Sequence, residues 1–312
     1  MAEVVRIGDR TIEGVNWGAR FSIGKPPWSS VPHTGRVERL ILQLGAGKGK
    51  FSETQGIPRS IGCIGNNRFV LRREKLSRDE IERILLDFKR MKGEELWLTN
   101  YDDVDELLWA AKRAVEIGFE RVNAVVLEED LEKVKPFPGV RFIAELEYSR
   151  EDVVRTVGIE WVSGILVMVN QENLNDAMEF LPRVGGDVEV YIDVLYPKSA
   201  RFLSFNVIEL RRIMNPTVEK YNDCLAGTIA VSGDGYVTPC PLLRNYVVQD
   251  ARENGLKGVL RKKRLKSFWT LTKDKIETCS GCPFRYVCHD CRALEYQATG
   301  EIEGIEYCPI AD

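Results

Sequence analysis

From about residue 36 to residue 215 the chain alternates short apolar runs with stretches of helical period, and that alternation predicts its secondary structure. The apolar runs Val37–Leu44, Glu95–Thr99, Arg121–Leu127, Val140–Leu146, Trp161–Val169 and Val188–Leu195 read as strands. The clearest helix opens at Ser77-Arg-Asp-Glu80, a capping box, and sets Ile81, Ile84, Leu85 and Phe88 on one apolar face. Gly93 stands where a C-cap glycine is expected. Further helices fit Val104–Ile117, Arg150–Gly158, Leu174–Leu181 and Leu203–Met214. Strands alternating with helices through short loops predict parallel pairing with right-handed crossovers. Six such units are too few for a closed eight-unit barrel, which leaves a partial, open barrel or a doubly wound sheet. Residues 1–35 form a β-rich lead-in punctuated by Gly and Pro through Gly24-Lys-Pro-Pro-Trp-Ser-Ser-Val-Pro-His33. Near Asn215-Pro216 the pattern changes to Cys-rich, turn-rich sequence, with no internal repeat and no low-complexity linker.

Composition narrows the class only a little. At 312 residues, 44% hydrophobic and 29% charged, the chain is an ordinary globular one with room for a large domain and a smaller one. A net charge of −3 names neither nucleic acid nor membrane as a default partner. No apolar run is long enough to span a bilayer, and Met1-Ala-Glu-Val-Val-Arg6 lacks an apolar signal core, so a cytoplasmic protein is expected. Charged residues far outnumber Asn and Gln while Met is scarce. That balance leans toward a thermophile, the setting in which cytoplasmic disulfides do occur.

The cysteines carry the chemistry. Seven of the eight lie after residue 223: Cys224, Cys240, Cys279, Cys282, Cys288, Cys291 and Cys308. Without a secretion signal, disulfides are the weakest explanation, and such crowding is not that of scattered core thiols. The segment from Cys224 to Cys240 reads as a β-hairpin, two β-rich arms around the turn Ser232-Gly-Asp-Gly235, which folds its terminal cysteines toward one centre. Cys279-x2-Cys282 and Cys288-x2-Cys291 each bend the backbone so that two thiolates face one metal. Zinc and iron–sulfur clusters both satisfy this spacing. Seven thiolates make one site of four cysteines and one of three plus a further ligand, for which His289 or an Asp is available.

In this order the cysteines resemble the SPASM domain that ends many radical SAM enzymes: a Cys, a spacer, Gly-x4-Cys, a gap, Cys-x2-Cys-x5-Cys-x3-Cys, a second gap and a closing Cys. Here Cys224 is followed by Gly235-x4-Cys240, Cys279-x2-Cys282-x5-Cys288, Cys291 and Cys308; the one departure is x2 rather than x3 before Cys291. The resemblance implies two [4Fe–4S] clusters, one on Cys279, Cys282, Cys288 and Cys308, the other on Cys224, Cys240 and Cys291 with an open or non-cysteine fourth position. It extends over residues 36–308, where two radical SAM signatures are replaced. The cysteine triad Cys-x3-Cys-x2-Cys expected after the first strand gives way to Gly45-Ala-Gly-Lys-Gly-Lys50 and a loop whose only cysteine is Cys63. The Gly-Gly-Glu-Pro that reads the methionine end of S-adenosylmethionine gives way to Asn100-Tyr101-Asp102-Asp103. The implied fold is α/β: residues 1–35 as lead-in, 36–215 as a partial (β/α)6 TIM-type barrel, and 216–312 as a small Cys-rich α+β SPASM-like domain.

Other candidates have plainer readings. Gly45–Lys50 offers backbone N–H groups and lysines to an anion, but it lacks the P-loop pattern and reads as a mouth loop. Cys63 reads as a small buried hydrophobe. Asp102, Asp103 and Asp105 could line a site at a strand end, but suit the first turn of a helix as well. Arg261-Lys-Lys-Arg264 with Lys266 and Phe268-Trp269 reads as a solvated basic helix face before a nucleic-acid site. With only His33 and His289 in the chain, a Ser/His/Asp triad has little support.

The resulting expectation is an iron–sulfur protein that has lost the S-adenosylmethionine cluster, with no radical chemistry of its own. It would transfer electrons or present a peptide or protein substrate to a radical SAM partner. The alternatives are an enzyme working at an open auxiliary cluster or altered barrel mouth, and a zinc-stabilised binding module.

Overall fold

The computed structural model describes residues 5–7, 10–12, 21–23, 26–45, 71–184, 188–196, 199, 201, 209–210, 216–289, 291–308 and 310. Residues 46–50 of the glycine-rich loop and Cys63 lie outside them. Strands β1 (Val5–Ile7) and β2 (Arg10–Ile12) pair with each other, and β3 (Phe21–Ile23) joins the main sheet. There follow β4 (Arg39–Gln43), α1 (Arg78–Arg90), β5 (Glu95–Thr99), α2 (Val104–Ile117), β6 (Arg121–Leu127), β7 (Val140–Glu147), α3 (Arg150–Val157), β8 (Val162–Val169), α4 (Leu174–Phe180) and β9 (Glu189–Val194). Each predicted strand is present within a residue or two of its expected ends. Between β6 and β7 the crossover is a 3-10 segment, Glu128–Lys133, rather than a helix. The C-terminal part adds the short helices α5 (Ala251–Asn254), α6 (Lys263–Trp269), α7 (Glu277–Ser280) and α8 (Arg292–Thr299).

Local chemistry explains most of these elements. Ser77 Oγ accepts from Glu80 N at 3.3 Å while the Glu80 carboxylate accepts from Ser77 N at 2.8 Å, closing the capping box of α1. Ile81, Ile84, Leu85 and Phe88 are fully buried under it, each contributing about 1.5–3 kcal/mol of apolar burial. The end of α1 corrects the expected glycine cap. Lys92, not Gly93, takes the left-handed position, with φ 61°. Gly93 is needed for space, since a Cβ there would stand 2.2 Å from the Phe88 ring.

A second correction concerns Leu203–Met214, expected to be helical. Glu209–Leu210 is strand β10, paired antiparallel with β14 (Cys288–His289); the flanking 202–208 and 211–215 lie outside the described residues. A partner strand far along the chain overrides the local helical period here.

The main sheet has ten strands in the order β13-β12-β11-β4-β5-β6-β7-β8-β9-β3, with β11 (Thr228–Val231), β12 (Tyr236–Thr238) and β13 (Gln249–Asp250). Every pairing from β11 to β3 is parallel, and β12 and β13 add antiparallel at one edge. Among the described residues the sheet is open. β4 to β9 follow one another in sequence order, whereas a doubly wound sheet would reverse at a switch point.

One face packs Leu40, Leu42, Leu96, Leu98, Val122 and Ala124 against the helices. The other face carries Ile41, Trp97, Val125, Ile143, Leu166 and Tyr191, and meets Trp28, Leu225, Cys240 and Phe268. The rings of Trp28 and Tyr191 each lie 6.0 Å from that of Trp97, filling this second face with aromatic bulk. The sheet continues across the expected boundary at Asn215-Pro216. Thr228, Ile229, Ala230 and Val231 of β11 pair in register with Arg39, Leu40, Ile41 and Leu42 of β4. Among the described residues no helix is long and apolar enough to cross a membrane.

Candidate metal centre

Two sequence stretches carry the seven cysteines of the C-terminal part. The first is the hairpin of β11 and β12, whose register pairs Ala230 with Thr238 and Val231 with Val237, as the Ser232–Gly235 turn predicted. Gly235 adopts φ +85°, a conformation that side chains strain, and its N–H donates to Ser232 O at 2.7 Å. Asp234 is completely buried in that turn. Burial would raise its carboxyl, but hydrogen bonds from Arg72 N (2.9 Å) and Ser232 Oγ, with the charge of Arg244, hold it below the ordinary carboxylate range. Arg73 adds a bidentate pair to Asp250 at 2.6 and 2.7 Å and donates to Asp234 O. The turn is therefore tied to residues 72–73 through the buried Asp234.

Cys224 stands just ahead of β11. The Asn222 side chain accepts from the N–H groups of Cys224 (3.0 Å) and Leu225 (2.9 Å), while Trp28 Nε1 donates to Cys224 O at 2.9 Å. Cys240 follows β12, where Leu243 N donates to its carbonyl at 3.0 Å. Cys291 is the N-cap residue of α8.

These three thiols lie within electrostatic reach of one another. Burial, then Cys291 and Cys240, then Asp223, push the Cys224 thiol well above its ordinary value, opposed by the Arg39 guanidinium. Burial and Cys291 push Cys240 up to about 12, although the N–H groups of Leu242 and Leu243 bond to its sulfur and favour the thiolate. Among the described residues no three His, Cys, Asp or Glu side chains converge closely enough to hold one metal ion.

Arg39, which the sequence pattern does not single out, is the charged neighbour of this group. It is 5% exposed, donates to Ala226 O (3.1 Å) and Thr228 Oγ1 (3.2 Å), and pairs with Glu38 at 3.1 Å and Glu95 at 3.7 Å. Its guanidinium lies 4.8 Å from the centre of the Trp28 ring.

The second stretch is the cysteine run. Cys279 sits on the single turn of α7, and Cys282 N donates to Cys279 O at 3.0 Å. Cys288 N donates to Phe284 O at 2.7 Å, and Cys288 then pairs with Leu210. Cys308 N donates to Ile305 O at 3.0 Å. All four are partly exposed, as are Cys224 and Cys291, and only Cys240 of the seven is buried. A small cavity beside Cys288 is lined by Tyr221, Asn222, Asp223, Lys273 and Arg285.

Asn100, Tyr101, Asp102 and Asp103 are engaged within the protein. Asn100 Oδ1 accepts from the N–H groups of Asp102 and Asp103 at 3.1 Å each, and Tyr101 donates to Glu145 at 2.6 Å. Asp103 caps α2, accepting from Glu106 N at 3.0 Å, and Asp105 follows in its first turn, as helix-start charges should. Asp102 is different: it pairs with Lys75 at 2.8 Å. His33 bonds Glu38 at 3.1 Å and packs edge-on against Tyr221 and Trp269. Phe268 and Trp269 are core residues, and Arg261, Lys262, Lys263, Arg264 and Lys266 are exposed.

Residues 224–283 match the SPASM family, described as an iron-sulfur cluster-binding domain. No curated protein and no solved structure matches the chain. The match contains Cys224, Cys240, Cys279 and Cys282 and ends before Cys288, Cys291 and Cys308. The C-terminal part of this protein thus carries an iron–sulfur cluster-binding domain of a kind associated with radical SAM proteins. The donor set suits that cofactor: three thiols near enough for their charges to act on one another, N–H groups bonded to one sulfur, and a fixed cation beside another.

Proposed function

We propose that this protein is an iron–sulfur accessory protein, transferring electrons to a radical SAM enzyme or presenting a peptide or protein substrate to it. The observation that carries the reading is the placement of Cys224, Cys240 and Cys291, widely separated in the sequence, near one another, with Cys291 packed against the buried group that holds Cys240. We assign these three to one cluster and Cys279, Cys282, Cys288 and Cys308 to a second, both of the [4Fe–4S] type. A bound cluster supplies one-electron redox chemistry. The chain's own part is to hold thiolates, with the Leu242 and Leu243 N–H groups on Cys240 and the Arg39 charge beside Cys224 offsetting their negative charge.

We read the parallel sheet as a partial barrel of the TIM type, from its consecutive strand order. Cys63 is the only cysteine before Cys224, and one thiolate cannot hold a three-thiolate barrel cluster. Asn100, Tyr101, Asp102 and Asp103 are committed to internal bonds where the family reads S-adenosylmethionine. Losing several such anchors, each worth about 1–3 kcal/mol, puts affinity for that cofactor beyond about millimolar.

Anaerobic purification with iron, sulfide and zinc quantified tests the metal. Calorimetric titration with S-adenosylmethionine and a search for 5′-deoxyadenosine after dithionite reduction test the lost activity. A brown protein with a charge-transfer band near roughly 400 nm, and neither binding nor cleavage, is expected. A colourless protein with stoichiometric zinc would make it a zinc-stabilised module. Micromolar binding, or turnover by the purified protein alone, would mean that the barrel has kept its S-adenosylmethionine site.

A further inference from the structure

The chain is net acidic, yet one short stretch reverses the sign. Between Lys257 and Lys275 eight Lys or Arg residues stand against a single acid, Asp274. Five of them, Arg261, Lys262, Lys263, Arg264 and Lys266, are exposed on and just ahead of α6. Among the described residues neither Arg261, Lys262, Lys263 nor Lys266 forms an ion pair. Asp274 is itself held by Arg285 at 2.9 Å. The charge is therefore available to a partner, and it is local enough to steer one.

Aromatic rings connect the patch to the packed group that holds Cys240. The Arg264 guanidinium sits 5.5 Å from the centre of the Tyr246 ring. Tyr246 meets Phe268 at 5.0 Å and Tyr296 at 5.1 Å, and Phe268 shares a packed group with Cys240, with Cys291 at its border. Electron tunnelling falls off exponentially with distance, so a redox partner gains by docking where the intervening layer is thin.

The apolar side of α6 decides against other polyanions. Leu265, Phe268 and Trp269 all turn inward, with Trp269 Nε1 donating to Thr228 O at 3.1 Å. No aromatic ring of the helix is left as a platform for stacking bases, nor an apolar face for entering a bilayer.

We propose that the exposed basic face of Arg261, Lys262, Lys263, Arg264 and Lys266 docks a small acidic electron-carrier protein that exchanges electrons with the cluster at Cys224, Cys240 and Cys291. This rests on the cluster reading above. One electron leaves the reduced carrier, which is oxidised by one, and enters the oxidised cluster, which is reduced by one; no bond or proton changes place.

The test uses the anaerobically purified, iron-loaded chain and a reduced flavodoxin of low isoelectric point, with cluster bleaching followed by stopped flow. The wild type should bleach quickly at low salt and slow steeply as ionic strength rises. A combined Lys262→Glu, Lys263→Glu, Lys266→Glu variant should react about tenfold more slowly or worse at low salt. Its iron content and its bleaching by dithionite should match the wild type. Equal carrier rates for the two proteins, or rates indifferent to salt, would overturn the docking face. Wild-type binding of a single-stranded oligonucleotide or of anionic phospholipid vesicles at physiological salt, abolished by the same variant, would reassign it. Absence of iron and sulfide from the anaerobically purified protein would instead remove the cluster, and with it the reading on which the face depends.

Discussion

The two halves of the cysteine-rich region are built on opposite plans. The hairpin of Cys224 and Cys240 is an extension of the large sheet: β11 is zipped along β4, its turn is held by Asp234, Arg72, Arg73 and Arg244, and Cys240 is 4% exposed. The run from Cys279 to Cys288 has only the single turn of α7, a two-residue strand and isolated turns, and Phe284 in its midst is 41% exposed. Helices shorter than about 12–15 residues are marginal unless something else holds them. One set of thiols is placed by the fold; the other, on our reading, is placed by what it binds, since a site absent from the unfolded chain turns binding energy into folding energy.

Removing the metal should expose that difference most strongly. After anaerobic chelation, amide exchange within 276–291 should accelerate by about 100-fold or more, while β11 and β12 keep their protection. Equal loss in both stretches would erase the contrast.

A smaller effect is expected from Gly235→Val. Its φ of +85° strains any side chain, and a Cβ would press on Arg252 and Leu76 at 3.1 Å. A cost of about 1–3 kcal/mol should displace Cys240 and halve the iron, leaving the cluster assigned to Cys279, Cys282, Cys288 and Cys308. Full iron content in this variant would uncouple turn and thiol.

The smallest effect is in alkali. In the metal-free protein burial raises Cys240 from 9.0 to about 12, so the neutral thiol is favoured by folding. That stability is fully present below pH 9 and is lost as the pH climbs from 9 toward 12. Thermal midpoints should fall across this window, and less so in Cys240→Ala. A wild type with no alkaline slope would mean that Cys240 is not buried as a thiol.

Much of this was legible in the residue order. The capping box at Ser77 and Glu80, the apolar face of α1, and the strands from β4 to β9 all rest on contacts within a few residues. The hairpin was legible because Ser232-Gly-Asp-Gly235 dictates a turn whatever surrounds it. The helix expected over Leu203–Met214 failed at Glu209–Leu210 because Cys288–His289 supplies a competing strand. Gly93 was misread as a cap because its reason, the Phe88 ring, is a packing contact. Arg39 went unnoticed as a site residue, since a lone Arg opening an apolar strand has no motif.

The amino-acid sequence by itself determined where the strands from β4 to β9 and the helices α1 to α4 form, where the hairpin turns, and that seven thiols gather in one third of the chain. These follow from short-range periodicity, capping and turn geometry. Tertiary structure alone decided that β11 would extend the sheet beside β4. It also brought Cys224, Cys240 and Cys291 within reach of one another, and placed a guanidinium from β4 next to Cys224. Those outcomes join residues up to nearly two hundred positions apart, as in the Arg39 contact with Thr228, and only burial of both sheet faces selects them.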